Sequence, residues 1–233
     1  MKRVIIITGH EIRHKFLCHY LSSQKNIHLL YGIHEEIVKL SENKKLNKYR
    51  IFKKHVSQRL KSEKKYFSKF SKKYNSIYVQ KGIVNEISLI KKIEKDRPDF
   101  IITFGCSILK ENFIKKFKNK TINIHLGLSP YYTGSGTNFF PFVNNELQFL
   151  GSTIMKISRK IDQGEIITQI RPKITYSDKI HDIGNKIILQ TAKILVKIIM
   201  SKKIFYFKSK IKYNTKYFKR KDFTIDALKK AYG

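Results

Sequence analysis

Asn123-Ile124-His125-Leu126-Gly127-Leu128-Ser129-Pro130 opens a stretch that continues through Tyr131-Tyr132-Thr133-Gly134-Ser135-Gly136-Thr137-Asn138. After Gly151-Ser152-Thr153 it closes in Ile161-Asp162-Gln163-Gly164-Glu165-Ile166-Ile167. Side chains two residues apart on a strand point to the same side, so the Asn123 amide and the His125 imidazole share a face. Asp162, 37 positions after His125, can return to that face from a later strand or loop. An amide donor, an acid/base imidazole and a carboxylate are the parts of an acyl-transfer site. Between residues 121 and 170 the charges balance, with Lys156, Arg159 and Lys160 against Glu146, Asp162 and Glu165. In a chain of formal net charge +32, a neutral stretch rich in Gly, Asn and aromatic residues reads as a built site rather than a solvated face. Asn-x-His by itself would fit equally a buried strand with both side chains satisfied by backbone. The two motifs together, at their long spacing, carry the assignment.

Outward from this stretch the chain reads as alternating strands and helices. Thr121–His125 is a strand, and the loop that leaves it runs from Leu126 to Asn138. Residues 150–157 and 165–170 read as paired strands flanking a turn from Arg159 to Gly164. Upstream, Asp99–Phe104 is a buried strand leading into Gly105-Cys106-Ser107-Ile108-Leu109. At the start, Val4–Gly9 is a continuous β-branched run suited to a parallel sheet covered on both faces. A helix over Glu11–Leu21 and a strand over Ile27–Gly32 complete a βαβ unit. Gly9 lacks the companion glycines of a dinucleotide or phosphate-loop fingerprint, which disfavours NAD and ATP. Ser41–Tyr74 is basic and helical in character, Ser76–Val79 is a short strand, and Ile83–Glu94 is a helix ending before Pro98. Asp178–Met200 is an amphipathic helix. The tail from Lys202 alternates Lys with Tyr and Phe, which fits an amphipathic edge strand better than a stacking platform for single-stranded nucleic acid; a short helix through Ala231 ends it. The expected fold class is α/β, a Rossmann-like, mostly parallel sheet flanked by helices, with a short C-terminal appendage.

Asn123, His125, Pro130, Gly134, Gly151 and Asp162, with Gly164 closing the last motif, resemble the pattern of the folate-dependent formyltransferases. That family acts on glycinamide ribonucleotide, methionyl-tRNA or nucleotide-linked amino sugars. The resemblance implies the formyltransferase fold, with a catalytic domain over 1–175 and a C-terminal helix and basic, aromatic extension over 176–233. It implies 10-formyltetrahydrofolate as formyl donor, no metal, and a small-molecule primary amine as acceptor. Asn123 would hold the carbonyl oxygen, His125 would donate to the developing oxyanion, and Asp162 would orient His125 and relay protons through water. Phe104, Gly105, Cys106, Ser107 and Ile108 would line the pterin pocket together with Arg159, Ile161 and Gly164. His10, Arg13, His14, Ser129, Tyr132, Gly134, Gly136 and Thr137 are the candidate acceptor contacts. The loop after Gly9 lacks the Gly-Ser-rich phosphate loop of the glycinamide ribonucleotide enzymes. The methionyl-tRNA enzymes carry a further tRNA-binding domain. A nucleotide-linked amino sugar is therefore the expected acceptor.

Other features admit other chemistry. His10-Glu11-Ile12-Arg13-His14 matches the zinc-peptidase pattern H-E-x-x-H, in which two histidines one helical turn apart bind zinc and the glutamate is the base. Here the match begins directly after a strand, and only Glu35 or Glu36 offers itself as a further ligand. Arg13 and His14 are either contacts to an acceptor's phosphate or sugar, or helix-surface residues. His55, Arg59 and Glu63 recur every fourth residue and share a helix face, which reads as a solvent-facing ladder of charge pairs, or else as a face closing over the acceptor. Of the 49 basic residues only eight are arginine, a lysine dominance that suggests compositional bias as much as selected electrostatics. Residues 41–73 carry thirteen basic side chains against two acidic, and residues 197–233 twelve against two. Such surfaces attract polyanions, RNA among them, weakly and without sequence preference. Cys18 and Cys106 fit a reducing compartment, and Cys106 reads as a packing residue. No apolar run approaches the ~20 residues that span a bilayer, and the apolar run after Arg3 is too short for a signal peptide. The expected location is cytoplasmic, with no membrane partner.

Overall fold

The structure is a computed structural model that describes residues 1–36, 42–209 and 213–233. Its centre is strand β1 (Lys2–Gly9), whose Val4, Ile5, Ile6 and Ile7 are fully buried. Because both faces of this strand are covered, the apolar run does not alternate with polar residues. Helix α1 (Ile12–Ser22) leads to β2 (Ile27–Glu36), parallel to β1. Helix α2 (Arg50–Phe67) precedes β3 (Ser76–Gln80), and α3 (Ile87–Lys95) precedes β4 (Phe100–Phe104). A short α4 (Glu111–Phe117) then feeds β5 (Thr121–His125). Beyond it come β6 (Tyr132–Gly134), α5 (Phe140–Val143), β7 (Ser152–Lys156), β8 (Ile166–Ile170), α6 (Ile180–Met200), β9 (Lys216–Phe218) and α7 (Ile225–Tyr232). The main sheet has the order β3-β2-β1-β4-β5-β7-β8. Its first five strands are parallel, and β7 and β8 are antiparallel additions.

One face of the sheet packs against α1 and α6. There Val4, Ile6, Ile102, Ile122 and Ile154 meet Phe16, Leu17, Ile188, Ala192 and Leu195. The other face packs against α3 and α4, with Ile5, Ile7, Ile33 and Ile101 meeting Ile90, Ile93, Phe113 and Phe117. Chain order reverses between β1 and β4, and in open sheets of this kind the ligand crevice lies beyond the carboxyl ends of the strands at that point. Gly9 ends β1, and Gly105 follows β4. A third cluster, of Phe52, Tyr132, Phe139, Phe140, Ala227 and Leu228, joins α2, the loop after β5 and α7. The helix expected from Asp178 therefore belongs to the main core through Leu195, which is fully buried.

Several elements differ from expectation. β2 runs on to Glu36 because residues 32–36 pair with 76–80 of β3. Of the basic segment expected to be helical from Ser41, which itself lies outside the described residues, only Arg50–Phe67 is α-helix. The segment Ile83–Glu94 breaks at Glu86, which is extended, into a 3-10 turn over Ile83–Asn85 and helix α3. The Asn85 side chain reaches instead to Ile108 O and Lys110 N, at 3.1 and 2.6 Å. Helix α4 has seven residues, too few for a periodic sequence signal. Among its described residues the tail forms no continuous edge strand. Phe207 makes an isolated bridge to Ile166, while β9 pairs with β6 in a separate two-stranded sheet. Residues 210–212 of the tail lie outside the described residues. Among the described residues no helix is long and apolar enough to cross a membrane.

Leu195→Ala tests whether α6 covers this face of the sheet. Removing a fully buried leucine should cost about 2–5 kcal/mol, measured by urea unfolding, whereas a change of a few tenths would place the helix outside the core.

Candidate active site

The carboxyl ends of β1, β4 and β5 open into a cleft of about 950 Å³. Asn123 and His125 project from β5 on the side opposite Ile122 and Ile124, as the alternation of a strand requires. Asn123 pairs in register with Thr103 of β4, and the Thr103 hydroxyl donates to Asn123 Oδ1 at 2.8 Å. That bond fixes the amide with its NH2 directed toward Asp162, where Nδ2 lies 3.3 Å from Oδ1. His125 is 5% exposed. Its Nδ1 is 3.2 Å from Asp162 Oδ2, and its Nε2 is 2.8 Å from the carbonyl of Tyr132. Asp162 is held further by the Gly134 N–H, which donates to Oδ2 at 3.0 Å, and by the Ser129 hydroxyl, which donates to its carbonyl at 2.9 Å. The Asp162 backbone has φ +53, a left-handed conformation that Asp tolerates better than most residues. Gly164 lets the turn lie against β7, since a Cβ there would stand 1.7 Å from the Lys156 carbonyl.

Chemically, the triangle offers an oriented amide donor beside an imidazole–carboxylate pair. Both nitrogens of His125 face oxygen acceptors, so the ring gives a hydrogen bond to a ligand only by releasing Asp162 or Tyr132. The amide is better placed. Among the described residues only Asp162 accepts from Nδ2, which leaves its second hydrogen for a ligand.

The remaining candidates fall into two groups. Phe104, Gly105, Cys106, Ser107, Ile108, Arg159, Ile161 and Gly164 line the cleft, as do His10, Arg13, His14, Gly134, Gly136 and Thr137. Ser129 and Tyr132 do not reach it. Ser129 is 4% exposed and Tyr132 is fully buried, and both support the site from behind. Arg13 lines the cleft as an occupied cation, paired with Glu11 and, at 2.8 Å, with Glu63. Arg59 is paired with the same two carboxylates, at 2.8 and 3.0 Å. The face carrying His55, Arg59 and Glu63 is thus turned inward, with Glu63 2% exposed, and is no solvent-facing ladder. A phosphate beside α1 and α2 therefore meets Arg13 and Arg59 as cations already paired.

His10 precedes α1 and lies with Nδ1 3.1 Å from the Glu35 carbonyl, so the H-E-x-x-H residues do not form a pair on one helix. His14 is wedged between Gly9 and Gly105, where a Cβ on either glycine would come within 2.5 and 2.6 Å of its ring nitrogens. Its Nδ1 is buried without a hydrogen-bond partner among the described residues. Among the described residues no group of three or more His, Cys, Asp or Glu side chains is arranged to hold a metal ion. Burial, with the Glu35 carboxylate second, pushes the Cys106 thiol up to about 12, which leaves it protonated and unsuited to nucleophilic attack.

Two supporting residues escape sequence reasoning. Thr103 carries only the faint signal of a hydroxyl within an apolar strand. Glu35 is fully buried and gathers the Gly82 N–H at 2.7 Å and the Ser107 N–H at 2.5 Å onto its carboxylate. It thereby anchors the 104–108 loop, and nothing in its sequence neighbourhood marks that task.

Comparison with known proteins follows from this geometry. Residues 3–199 match the family model described as formyl transferase, and the chain belongs to that family. Over 117 residues it is 24% identical to the methionyl-tRNA formyltransferase of Finegoldia magna, taking in 50% of this chain and 37% of that protein. The chain thus spans well under half the length of the first curated relatives it matches. In fold it is similar to a sugar N-formyltransferase from Shewanella sp. FDAARGOS_354, with TM-score 0.62, 15% identity, and coverage of 99% of this chain and 88% of that one. It is also similar to the formyltransferase PseJ from Anoxybacillus kamchatkensis, with TM-score 0.51, 18% identity, and coverage of 94% and 87%. The PseJ structure is a complex with UDP-4,6-dideoxy-4-formamido-L-AltNAc and tetrahydrofolate.

Thr103→Val keeps the shape of the strand and removes the donor that orients Asn123. A net hydrogen bond is worth roughly 0.5–1.5 kcal/mol, so turnover should fall about 2- to 12-fold with folding intact, read by steady-state kinetics beside circular dichroism.

The buried histidines set an acid limit. Burial lowers His14 to about 4 and His55 to about 3, and it lowers His181, with Arg59 contributing, to about 4. The unfolded chain takes up these protons near 6.5, before the folded chain does. The neutral rings therefore stabilise the fold fully above pH 6.5, and this contribution is lost as pH falls toward 4. His14→Gln should flatten that slope in urea unfolding measured from pH 7 to 4; an unchanged slope would contradict the assignment.

Proposed function

We propose that the chain transfers a formyl group from 10-formyltetrahydrofolate to the primary amine of a small acceptor, a nucleotide-linked amino sugar. The observation that carries this is the convergence of the Asn123 amide, the His125 imidazole and the Asp162 carboxylate at the mouth of one large cleft. The 104–108 loop and the 158–164 turn fit a folate. They form one wall of the cleft, and the Ser107 hydroxyl in it is a buried polar atom without a partner among the described residues. Phe104, Gly105, Cys106, Ser107 and Ile108, with Arg159, Ile161 and Gly164, would hold the donor, which when bound supplies the formyl carbon at the acyl oxidation level. The Asn123 N–H then sits where negative charge grows on a carbonyl oxygen, and a donor fixed in advance by Thr103 costs no reorganisation at that moment. Asp162 holds Nδ1 of His125 in the resting site, and His125 takes or passes a proton at that nitrogen when the bond to Asp162 is released.

The acceptor class rests on the opposite wall. The cleft is wider than a simple amine requires, and Tyr217 and Lys219 line it near the catalytic carboxylate. Tyr217 is 50% exposed, and Lys219 Nζ stands 6.0 Å from the centre of its ring. An aromatic face with a neighbouring cation suits a sugar or base joined to phosphate. A second reading, methionyl-tRNA as acceptor, is favoured by the identity to the Finegoldia magna enzyme and by the basic surface.

Incubation with labelled formyl donor and a panel of amines, followed by mass spectrometry, should find the label on an amino-sugar nucleotide. Transfer only to charged tRNA, with RNA binding that persists at physiological salt, would favour the second reading. Within the site, Asn123→Ala removes an oxyanion donor and should cost ~2.7–4 kcal/mol, roughly two to three orders of magnitude in rate. Asp162→Asn should leave folate binding nearly intact while turnover falls. Combined with His125→Ala it should add little, because the two residues act as a unit. Single-turnover kinetics on the double-mutant cycle decide this: full turnover in any single variant would mean the site is misassigned.

A further inference from the structure

The loop that supports the catalytic pair is pinned at both ends. At its start the Ser129 N–H donates to Thr153 Oγ1 at 3.0 Å, and at its end the Thr137 hydroxyl donates to the Leu126 carbonyl. Between these pins, residues 131–135 supply two contacts to the His125–Asp162 pair, Tyr132 O to His125 and Gly134 N to Asp162; the Ser129 hydroxyl adds one to the Asp162 carbonyl. Beyond its own loop and those two contacts, the backbone of 131–135 bonds, among the described residues, only to the C-terminal tail. Strand β9 runs parallel to β6, with Tyr132 opposite Lys216, Thr133 opposite Tyr217 and Gly134 opposite Phe218. Two bonds bracket the pairing: the Lys216 N–H donates to the Tyr131 carbonyl at 2.9 Å, and the Ser135 N–H donates to the Phe218 carbonyl at 2.8 Å.

Side chains reinforce this junction. Lys216 Nζ lies 2.6 Å from Glu146 Oε1, and the other carboxylate oxygen of Glu146 accepts from the Tyr132 hydroxyl. The phenolic oxygen also accepts from Asn144 Nδ2 at 2.8 Å. The Phe218 ring is stacked between Tyr132, at 5.7 Å, and Phe140, at 3.8 Å. Gly134 has φ +90, and a Cβ there would stand 2.1 Å from the Phe218 carbonyl. The two strands meet this closely only because that residue is glycine. Residues 216–218 lie beyond the family match, which ends at residue 199.

We propose that strand Lys216–Phe218 is a positioning element of the active site, holding Tyr132–Gly134 so that the Tyr132 carbonyl and the Gly134 N–H set the attitude of His125 and Asp162. Tyr217 of this strand lines the cleft, but the clamp itself acts through the loop it holds. The consequence for catalysis rests on the formyl-transfer function proposed above, whereas the clamp itself does not.

The test removes one bond of the clamp at a time. Lys216→Pro deletes the hydrogen given to Tyr131 O, Lys216→Ala deletes only the ammonium, and Glu146→Gln keeps the shape but discharges the link to Lys216. In the full-length protein, Lys216→Pro should lower kcat at least tenfold, leave KM for the formyl donor within twofold, and displace a limb of the pH–rate profile. The ring 15N signals of His125, assigned with His125→Gln, should move in the same variant. Glu146→Gln and Lys216→Ala should shift both readouts in the same direction but less, and Lys216→Arg should restore them. Should Lys216→Pro fail to fold by circular dichroism, Glu146→Gln decides alone. A folded Lys216→Pro, or in its absence Glu146→Gln, that retains the wild-type pH profile and His125 signals would overturn the clamp. If the wild-type protein formylates none of the amines tried, the proposed function falls, and the ring signals still decide whether the tail positions His125.

Discussion

One carboxylate organises the site. Asp162 meets the Asn123 amide through one oxygen, and the His125 ring and the Gly134 N–H through the other. It thereby ties together β5, the loop that follows β5, and the turn between β7 and β8. Each of those segments reaches the carboxylate through a local device. The strand supplies two side chains on one face. The loop exposes an N–H at a glycine with positive φ, and the turn bends through Asp162 itself at φ +53. A carboxylate this little exposed, 13%, is tolerated only where donors surround it, and here the donors are the groups proposed to be catalytic. Stability and chemistry therefore place the same demand on Asp162.

How much of this could be read in advance depended on the range of the interaction. The βαβ opening, the buried strands at 4–9 and 99–104 and the antiparallel pair after residue 150 follow from local runs and turns, and they stand as expected. The Asn123–His125–Asp162 constellation was legible because two residues share a strand face and the third sits in a marked motif. Thr103 and Glu35 were not. Each acts across neighbouring strands or loops, and a hydroxyl in a strand or a glutamate at a strand end says nothing of the partner it will meet. The shared face of His55, Arg59 and Glu63 is legible in the sequence, but whether it meets solvent or closes over the acceptor is not. Periodicity reveals which residues share a side of a helix, not which way that side turns.

The charge of the chain divides in a similar way. Most of its lysines face water, while Arg13 and Arg59 at the cleft are interlocked with Glu11 and Glu63. Beside α1 and α2 the excess of +32 is therefore neutralised locally, while Lys160 and Lys219 keep cationic groups on the cleft. Ions held in such a mutual lattice are oriented by one another, so they present hydrogen-bonding edges to a ligand more than a field.

The wedge of His14 between Gly9 and Gly105 has an evolutionary consequence. A methyl group at residue 9 collides with the imidazole rather than with backbone nearest at hand, the next atom being the Gly105 carbonyl at 3.3 Å. Gly9 and His14 therefore constrain each other as an epistatic pair: Gly9→Ala is costly while the histidine stands and becomes accessible once residue 14 has shrunk. Gly105 does not gain the same freedom, because its φ of +61 disfavours a side chain whatever occupies position 14. Sequence drift around the two central strand ends must therefore proceed in a fixed order, with position 14 changing before position 9 and position 105 remaining glycine.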